Sequence, residues 1–223
     1  MDIQQSLIEA ILRADRPGAN ALIDGWVAEH GTQRLLVDLL DPMLSHIGDE
    51  WQGGAAATLA QAYVAARVAE DALARIAAQA QPTPSIEATK GPVVIGNIED
   101  DFHALGRKMV GTFLRADGWI VHDLGNDVLP ATFVDKALEV GARVIGVSAM
   151  MLTTARNIRR LREEIDRRGL TGRLQLAVGG AVFRVCPGLD REVGGDGTAG
   201  SALDAPALFA TLWQKAVPPE VKP

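Results

Sequence analysis

PVVIGNIEDDFHALGRKMVGTFLRADG, residues Pro92 to Gly118, passes from an apolar run through a polar turn into an amphipathic repeat. VVIGNI (Val93–Ile98) reads as a buried strand that opens into a loop at Glu99-Asp100. GRKMVGTFLRADG (Gly106–Gly118) carries Met109, Val110, Phe113 and Leu114 at helical spacing. DFHALG (Asp101–Gly106) lies between them, so His103, one of four histidines in the chain, stands on the loop joining a first strand to a first helix. Folds of this kind place their ligands there.

The same alternation continues downstream. WIVHDLG (Trp119–Gly125), RVIGVSAM (Arg143–Met150) and LQLAVGG (Leu174–Gly180) read as strands, with a weaker fifth expected around REVGGDG (Arg191–Gly197). Helical stripes intervene at Phe133, Val134, Ala137 and Leu138, and again at Ile158, Leu161 and Ile165. Strands alternating with helices predict a parallel sheet covered on both faces. Five strands fit a flavodoxin-like, Rossmann-like doubly wound α/β domain over residues 92–217, with its crevice at the carboxyl ends of the strands.

Upstream the pattern is helical only. Ile3, Leu7, Ile8, Ile11 and Leu12 form one apolar face before Asp15-Arg16-Pro17-Gly18, and Leu22, Ile23, Trp26 and Val27 form a second before His30-Gly31. Leu35, Leu36, Leu39 and Leu40, continuing to Ile47, suggest a third. An alanine-rich helix follows from about Ala55 to Ala80, with Leu59, Tyr63 and Val64 in its first turns. Residues 1–80 are therefore expected to form a four-helix bundle. Residues 81–91, with two closely spaced prolines and no apolar period, read as a linker.

Bulk composition narrows the function. The chain has 223 residues, enough for two units with real cores, and 48% of them are apolar. With 22 basic against 28 acidic side chains it has no excess of positive charge to meet a phosphate backbone, so no nucleic-acid partner is expected. A single cysteine, Cys186, excludes an internal disulfide. The opening MDIQQSLIEAILRAD lacks the basic start and apolar run of a signal peptide, and no apolar run is long enough to cross a bilayer. A cytoplasmic protein without a membrane partner is the expectation.

Three strand ends carry the unusual residues. A histidine that ligates a metal commonly has its second ring nitrogen held by a carboxylate, and Asp101 is two residues from His103. Gly106 leaves the start of the next helix without a side chain. After the third strand, Ser148, Thr153 and Thr154 place hydroxyls where a buried strand opens, one threonine being expected to cap the following helix. Gly179-Gly180 and Gly194-Gly195-Asp196-Gly197 are glycine-rich turns that admit a ligand close to the backbone.

Together these residues resemble the cobalamin-binding domain shared by methionine synthase, the corrinoid proteins of methyltransferase systems and the cobalamin-dependent mutases. That family shows D-x-H-x-x-G, then S-x-L, then G-G. This chain has Asp101-Phe102-His103-Ala104-Leu105-Gly106, then Ser148-Ala149-Met150, then Gly179-Gly180. Asp-Glu-Trp-Gln-Gly-Gly around Trp51 is similar to the W-x-x-G turn of the helical caps that precede such domains in corrinoid methyl carriers. The resemblance implies His103 as the lower axial cobalt ligand, with cobalamin bound base-off and histidine-on. Asp101 would hydrogen-bond the imidazole, and Thr154 would stand where the family often has a serine completing the relay. Ser148 would meet the displaced nucleotide tail, and Gly106, Gly179 and Gly180 would line its slot. Phe102, Ala104, Leu105, Met150, Thr153, Gly195 and Asp196 would border the cofactor, with Trp51 above the corrin.

Met150 replaces the usual leucine, and Ala104-Leu105 replaces the common Asp-Ile. The Glu-His pair that light-sensing members carry after the W-x-x-G turn is absent; Leu59-Ala60-Gln61-Ala62-Tyr63 occupies that region. The function implied is a corrinoid subunit that shuttles a methyl group between methyl-donor and methyl-acceptor methyltransferases, its cobalt alternating between Co(I) and methyl-Co(III). The alternative is a cobalamin-dependent sensor, responding to light or cofactor state, that acts on a partner protein. A mutase small subunit ranks behind both. The identity of donor and acceptor is open.

Overall fold

A computed structural model describes residues 2–32, 34–40, 42–44, 46–47, 58–79 and 90–217. The chain divides into two compact units, Met1–Thr83 and Pro84–Pro223. The expected turn at Trp51, the start of the fourth helix at residues 55–57, and residues 81–89 of the expected linker lie outside the described residues.

In the first unit α1 (Ile3–Leu12) starts at Asp2, whose carboxylate accepts from the Gln4 N–H at 3.3 Å. α2 (Arg16–His30) starts at Asp15, which accepts from the Gly18 N–H at 2.9 Å, and it stops at Gly31 with φ +77°. Both starts satisfy amide donors that a helix leaves open. The third apolar run is π-helical over Leu36–Leu40 and helical at residues 42–44 and 46–47. α3 spans Leu59–Gln79. Leu7, Ile11, Ile23, Leu39, Val68 and Ala72 are buried together as the core. In α3 the buried face runs through Ala65, Val68, Ala69 and Ala72, which turns Tyr63 to the opposite side, 65% exposed. Arg16 ties α2 to α3 by donating from Nε and Nη2 to Asp71 at 2.8 and 2.7 Å.

The second unit is a five-stranded, all-parallel sheet: β1 (Lys90–Asn97), β2 (Trp119–Asp123), β3 (Val144–Ser148), β4 (Gln175–Gly179) and β5 (Gly197–Thr198), in the order β2-β1-β3-β4-β5. The fifth strand is shorter and later than its expected position, because Leu189–Glu192 forms a turn of helix instead. Alternation along the strands feeds two cores. Val94, Ile98, Ile145 and Val178 pack with Phe133 of α5 (Pro130–Val140) and with Ile158, Leu161 and Ile165 of α7 (Ile158–Arg167). Val93, Ile95, Val144 and Ala177 pack on the other face with Leu114 of α4 (Ala104–Ala116) and Phe209 and Leu212 of α10 (Ala205–Lys215). Between β3 and α7 lies the short α6 (Leu152–Ala155); α8 (Ala181–Val185) and α9 (Leu189–Glu192) follow β4. Because β2 lies on one side of β1 and β3 on the other, the loops after β1 and β3 diverge. In folds of this order the ligand crevice lies at that switch point.

Among the described residues no helix is long and apolar enough to cross a membrane.

Candidate functional site

The crevice is built around Asp101, which is 0% exposed. Each carboxylate oxygen accepts two hydrogen bonds. Oδ1 accepts from the Asn97 side-chain amide at 2.9 Å and from the His103 N–H at 3.0 Å. Oδ2 accepts from the Met150 N–H at 2.7 Å and the Thr154 hydroxyl at 2.8 Å. These bonds join the loop after β1 to the loop after β3 across the switch point. Burial opposes the charge on Asp101, but the four donors outweigh it, the Met150 and His103 amides foremost. The carboxyl is held below its ordinary range.

His103 Nδ1 lies 3.4 Å from Asp101 Oδ1, and the imidazole is half exposed. His103 occupies the N-cap position of α4 but its ring makes no capping bond. One edge of the imidazole therefore faces a fixed carboxylate while the ring remains open to a ligand. A single imidazole offers a metal one donor, which suits an ion whose other positions are already filled. Among the described residues no three of His, Cys, Asp and Glu converge as a metal-binding group.

The glycines divide into two kinds. A Cβ on Gly180, where φ is +117°, would collide with the carbonyl oxygen of Ala149, so this glycine is required by the chain itself. A Cβ on Gly106 or Gly179 would meet nothing within 4 Å. The protein does not need glycine at either position, and both border the open crevice. Their missing side chains leave room for a ligand against the backbone. Ser148, paired across the sheet with Asn97 on one side and Gly179 on the other, stands between them. Around this crevice the loops after the strands expose Phe102, Leu129, Met150, Met151, Leu152 and Leu203. Such a gathering of large apolar side chains at one end of a sheet marks a binding surface.

Ala104 and Leu105 form the first turn of α4 beside His103. Thr154 is buried in α6 and bonded to Asp101, and Thr153 is exposed; neither caps a helix, since the N-caps of α6 and α7 are Met151 and Asn157. The structure sets Gly195 and Asp196 apart from the others. They precede β5 at the amino side of the sheet, where Asp196 accepts from the Leu176 N–H at 2.6 Å and a Cβ on Gly195 would strike Val178. Both serve the packing of β4 against β5.

Two residues absent from the sequence-derived set complete the site. Asn97, fully buried at the end of β1, accepts from Arg107 Nε at 2.7 Å and donates to both Asp101 and the His103 carbonyl, the latter at 3.1 Å. Arg107, also buried, further donates to Asp123 and, at 3.1 Å, to Asn126. Burial, with a smaller push from Arg115, lowers the Arg107 pKa from its ordinary value. The signals were present: a polar residue closing an apolar strand, and an arginine four residues before Gly111 and seven before Leu114 on a buried helical stripe.

A family model described as a B12 binding domain matches residues 91–207, and a second one of the same description matches residues 3–77. The chain belongs to the B12-binding family. Its cofactor is a corrinoid. Among curated relatives of this family, trimethylamine corrinoid protein 2 of Methanosarcina acetivorans is 31% identical over 192 residues, covering 82% of this chain and 87% of the relative. Dimethylamine corrinoid protein 2 of Methanosarcina mazei is 44% identical over 100 residues, 44% of this chain and 47% of the relative. The monomethylamine corrinoid protein of Methanosarcina barkeri has a similar fold, with a TM-score of 0.75 over 94% of this chain and 98% of that one at 23% identity. The crevice at the switch point has residues that fit such a group: a half-exposed imidazole, open space beside Gly106 and Gly179, and an apolar rim.

Proposed function

We propose that this chain is a corrinoid methyl carrier in which His103 is the lower axial ligand, and that it passes a methyl group between two partner methyltransferases. The observation that carries the reading is the Asp101–His103 pair. A carboxylate with both oxygens occupied by fixed donors cannot turn, so it presents one oxygen to the imidazole Nδ1 and leaves the rest of the ring to the cofactor. When bound, the corrinoid supplies a cobalt centre able to accept and release a methyl group. The chain's own residues do the rest. Thr154 and Met150 hold the carboxylate, Gly106 and Gly179 leave the slot for the nucleotide tail, and Ser148 offers it a hydroxyl. Phe102, Met150 and Met151 exclude water beside the macrocycle. The likeness to methylamine corrinoid proteins supports the carrier role and favours methylamine-type donors; one chain of a solved methanol:cobalamin methyltransferase complex from Methanosarcina barkeri, TM-score 0.52 at 20% identity over 97% of this chain and 81% of that one, shares the fold.

The test is Co(II) electron paramagnetic resonance of protein loaded with hydroxocobalamin and reduced. Labelling the protein with 15N-histidine should convert the nitrogen superhyperfine triplet to a doublet, and His103→Ala should abolish the labelled splitting while retaining cofactor. A triplet that ignores the label would mean that the cofactor's own base stays on the cobalt, and the ligand assignment would fall.

A further inference from the structure

Beyond the Asp101–Thr154 relay, we infer that Asn97 and Arg107 are positioning residues of the axial ligand, a brace that fixes both flanks of His103. This rests on the reading of His103 as the ligand.

The argument is one of donors and acceptors. A guanidinium can only donate, so the Asn97 atom that meets Arg107 Nε at 2.7 Å must be the carbonyl oxygen. The Asn97 amide nitrogen then faces two groups that can only accept, the Asp101 carboxylate at 2.9 Å and the His103 carbonyl at 3.1 Å. A flip of the side chain would set donor against donor on one side and acceptor against acceptors on the other. The amide thus has one orientation, and in it a single side chain grips the carboxylate that meets the imidazole and the backbone carbonyl of the histidine itself. Arg107 lies one helical turn after His103. Its remaining donors reach Asp123 at the end of β2 and Asn126 in the loop beyond. The guanidinium therefore locks the first turn of α4 against the ends of β1 and β2 and sets the rotation of the helix whose N-cap is His103.

Lysine at position 107 would keep the charge but lose the planar fork that spans Asn97, Asp123 and Asn126. Serine at position 97, one bond shorter, cannot bridge Arg107, Asp101 and the His103 carbonyl. If the pair only stabilised the fold, these changes would lower the melting temperature and leave ligation alone. If it positions the ligand, they weaken ligation.

The experiment uses full-length protein loaded with hydroxocobalamin. Cyanide is titrated against it to displace the axial histidine, read by the visible corrin spectrum, with the 15N-histidine splitting of the reduced sample and the apoprotein melting temperature measured in parallel. Arg107→Lys and Asn97→Ser are each expected to lower the cyanide midpoint about fivefold to tenfold, the net worth of one hydrogen bond of ordinary strength, and to diminish the histidine splitting. Both variants folding with a wild-type midpoint and full splitting would overturn the inference while the His103 assignment stood. Absence of histidine splitting in the wild-type protein would overturn both. Should Arg107→Lys not fold, Asn97→Ser decides alone, since it leaves the Arg107–Asp123 pair in place.

Discussion

At Asp101, the opposed effects of burial and hydrogen bonding give the site a pH signature. Its carboxyl has a folded pKa below the unfolded one, so the stability it contributes is complete above the unfolded value, about 4, and is lost as pH falls through the folded value. Asp101→Asn should destabilise the apoprotein by about 3 kcal/mol at neutral pH, because an amide turns donors toward at least one pair of fixed donors. That difference should shrink as the pH of urea titrations is taken below about 4; a gap that stays constant down to pH 2 would contradict the assignment. Glu164, held by Arg167 and then Arg168, keeps its carboxyl ionised down to about 2. Carboxyl-carbon NMR should find its midpoint there. A midpoint near the ordinary glutamate value would mean that the two arginine bonds do not persist in solution.

Elements explain why similar glycines do different work. Gly180 follows β4 with φ +117° and abuts the Ala149 carbonyl across the sheet ends, so Gly180→Ala should cost at least about 2 kcal/mol by strain and collision. Gly106 lies within the first turn of α4 and faces open space. Gly106→Ala should leave the fold unchanged or stabilise it by up to about 1 kcal/mol, since alanine is the better helix former. The same methyl group should weaken hydroxocobalamin retention on desalting, because it enters the slot. Chemical denaturation and corrin absorbance separate the two effects, and undiminished retention would remove Gly106 from the site. Its helix also shows why Arg107 is buried: a stripe that ends at Gly111 and Leu114 carries the guanidinium under the loop, where Asn97, Asp123 and Asn126 satisfy it.

For the whole molecule, each of the two units has a core of its own. In the helical unit the Arg16 bonds lower the Asp71 pKa against burial, helped by Asn20, so the stability from this clamp is complete above about pH 4 and lost as pH falls through the lowered value. The pair is partly exposed, so solvent screens much of its attraction. Asp71→Asn should therefore speed hydrogen exchange in α2 and α3 and leave β1, β3 and β4 at wild-type rates. Equal acceleration in the strands would show that the two units share one cooperative unfolding step.

Much of this was legible from residue order because it depends on local periodicity. Alternation in VVIGNI and its successors, helical stripes between them and the short span from Asp101 to Gly106 suffice for a parallel α/β unit with His103 at a strand end. The same holds for Gly180 and for the helical character of the first unit. Periodicity failed where the outcome depended on contacts between distant segments. The fifth strand shrank to Gly197–Thr198, and the glycine turn before it went to the amino side of the sheet. Periodicity says nothing of the Thr154 bond to Asp101, 53 positions away, which the family resemblance alone implied, and only the tertiary structure brought Arg107 to Asp123, 16 positions away. A buried carboxylate and a buried guanidinium are tolerable only where distant donors and acceptors converge on them. Sequence order determined which residues stand at the strand ends; the folding of strands β1, β2 and β3 side by side decided which of those residues bond to one another.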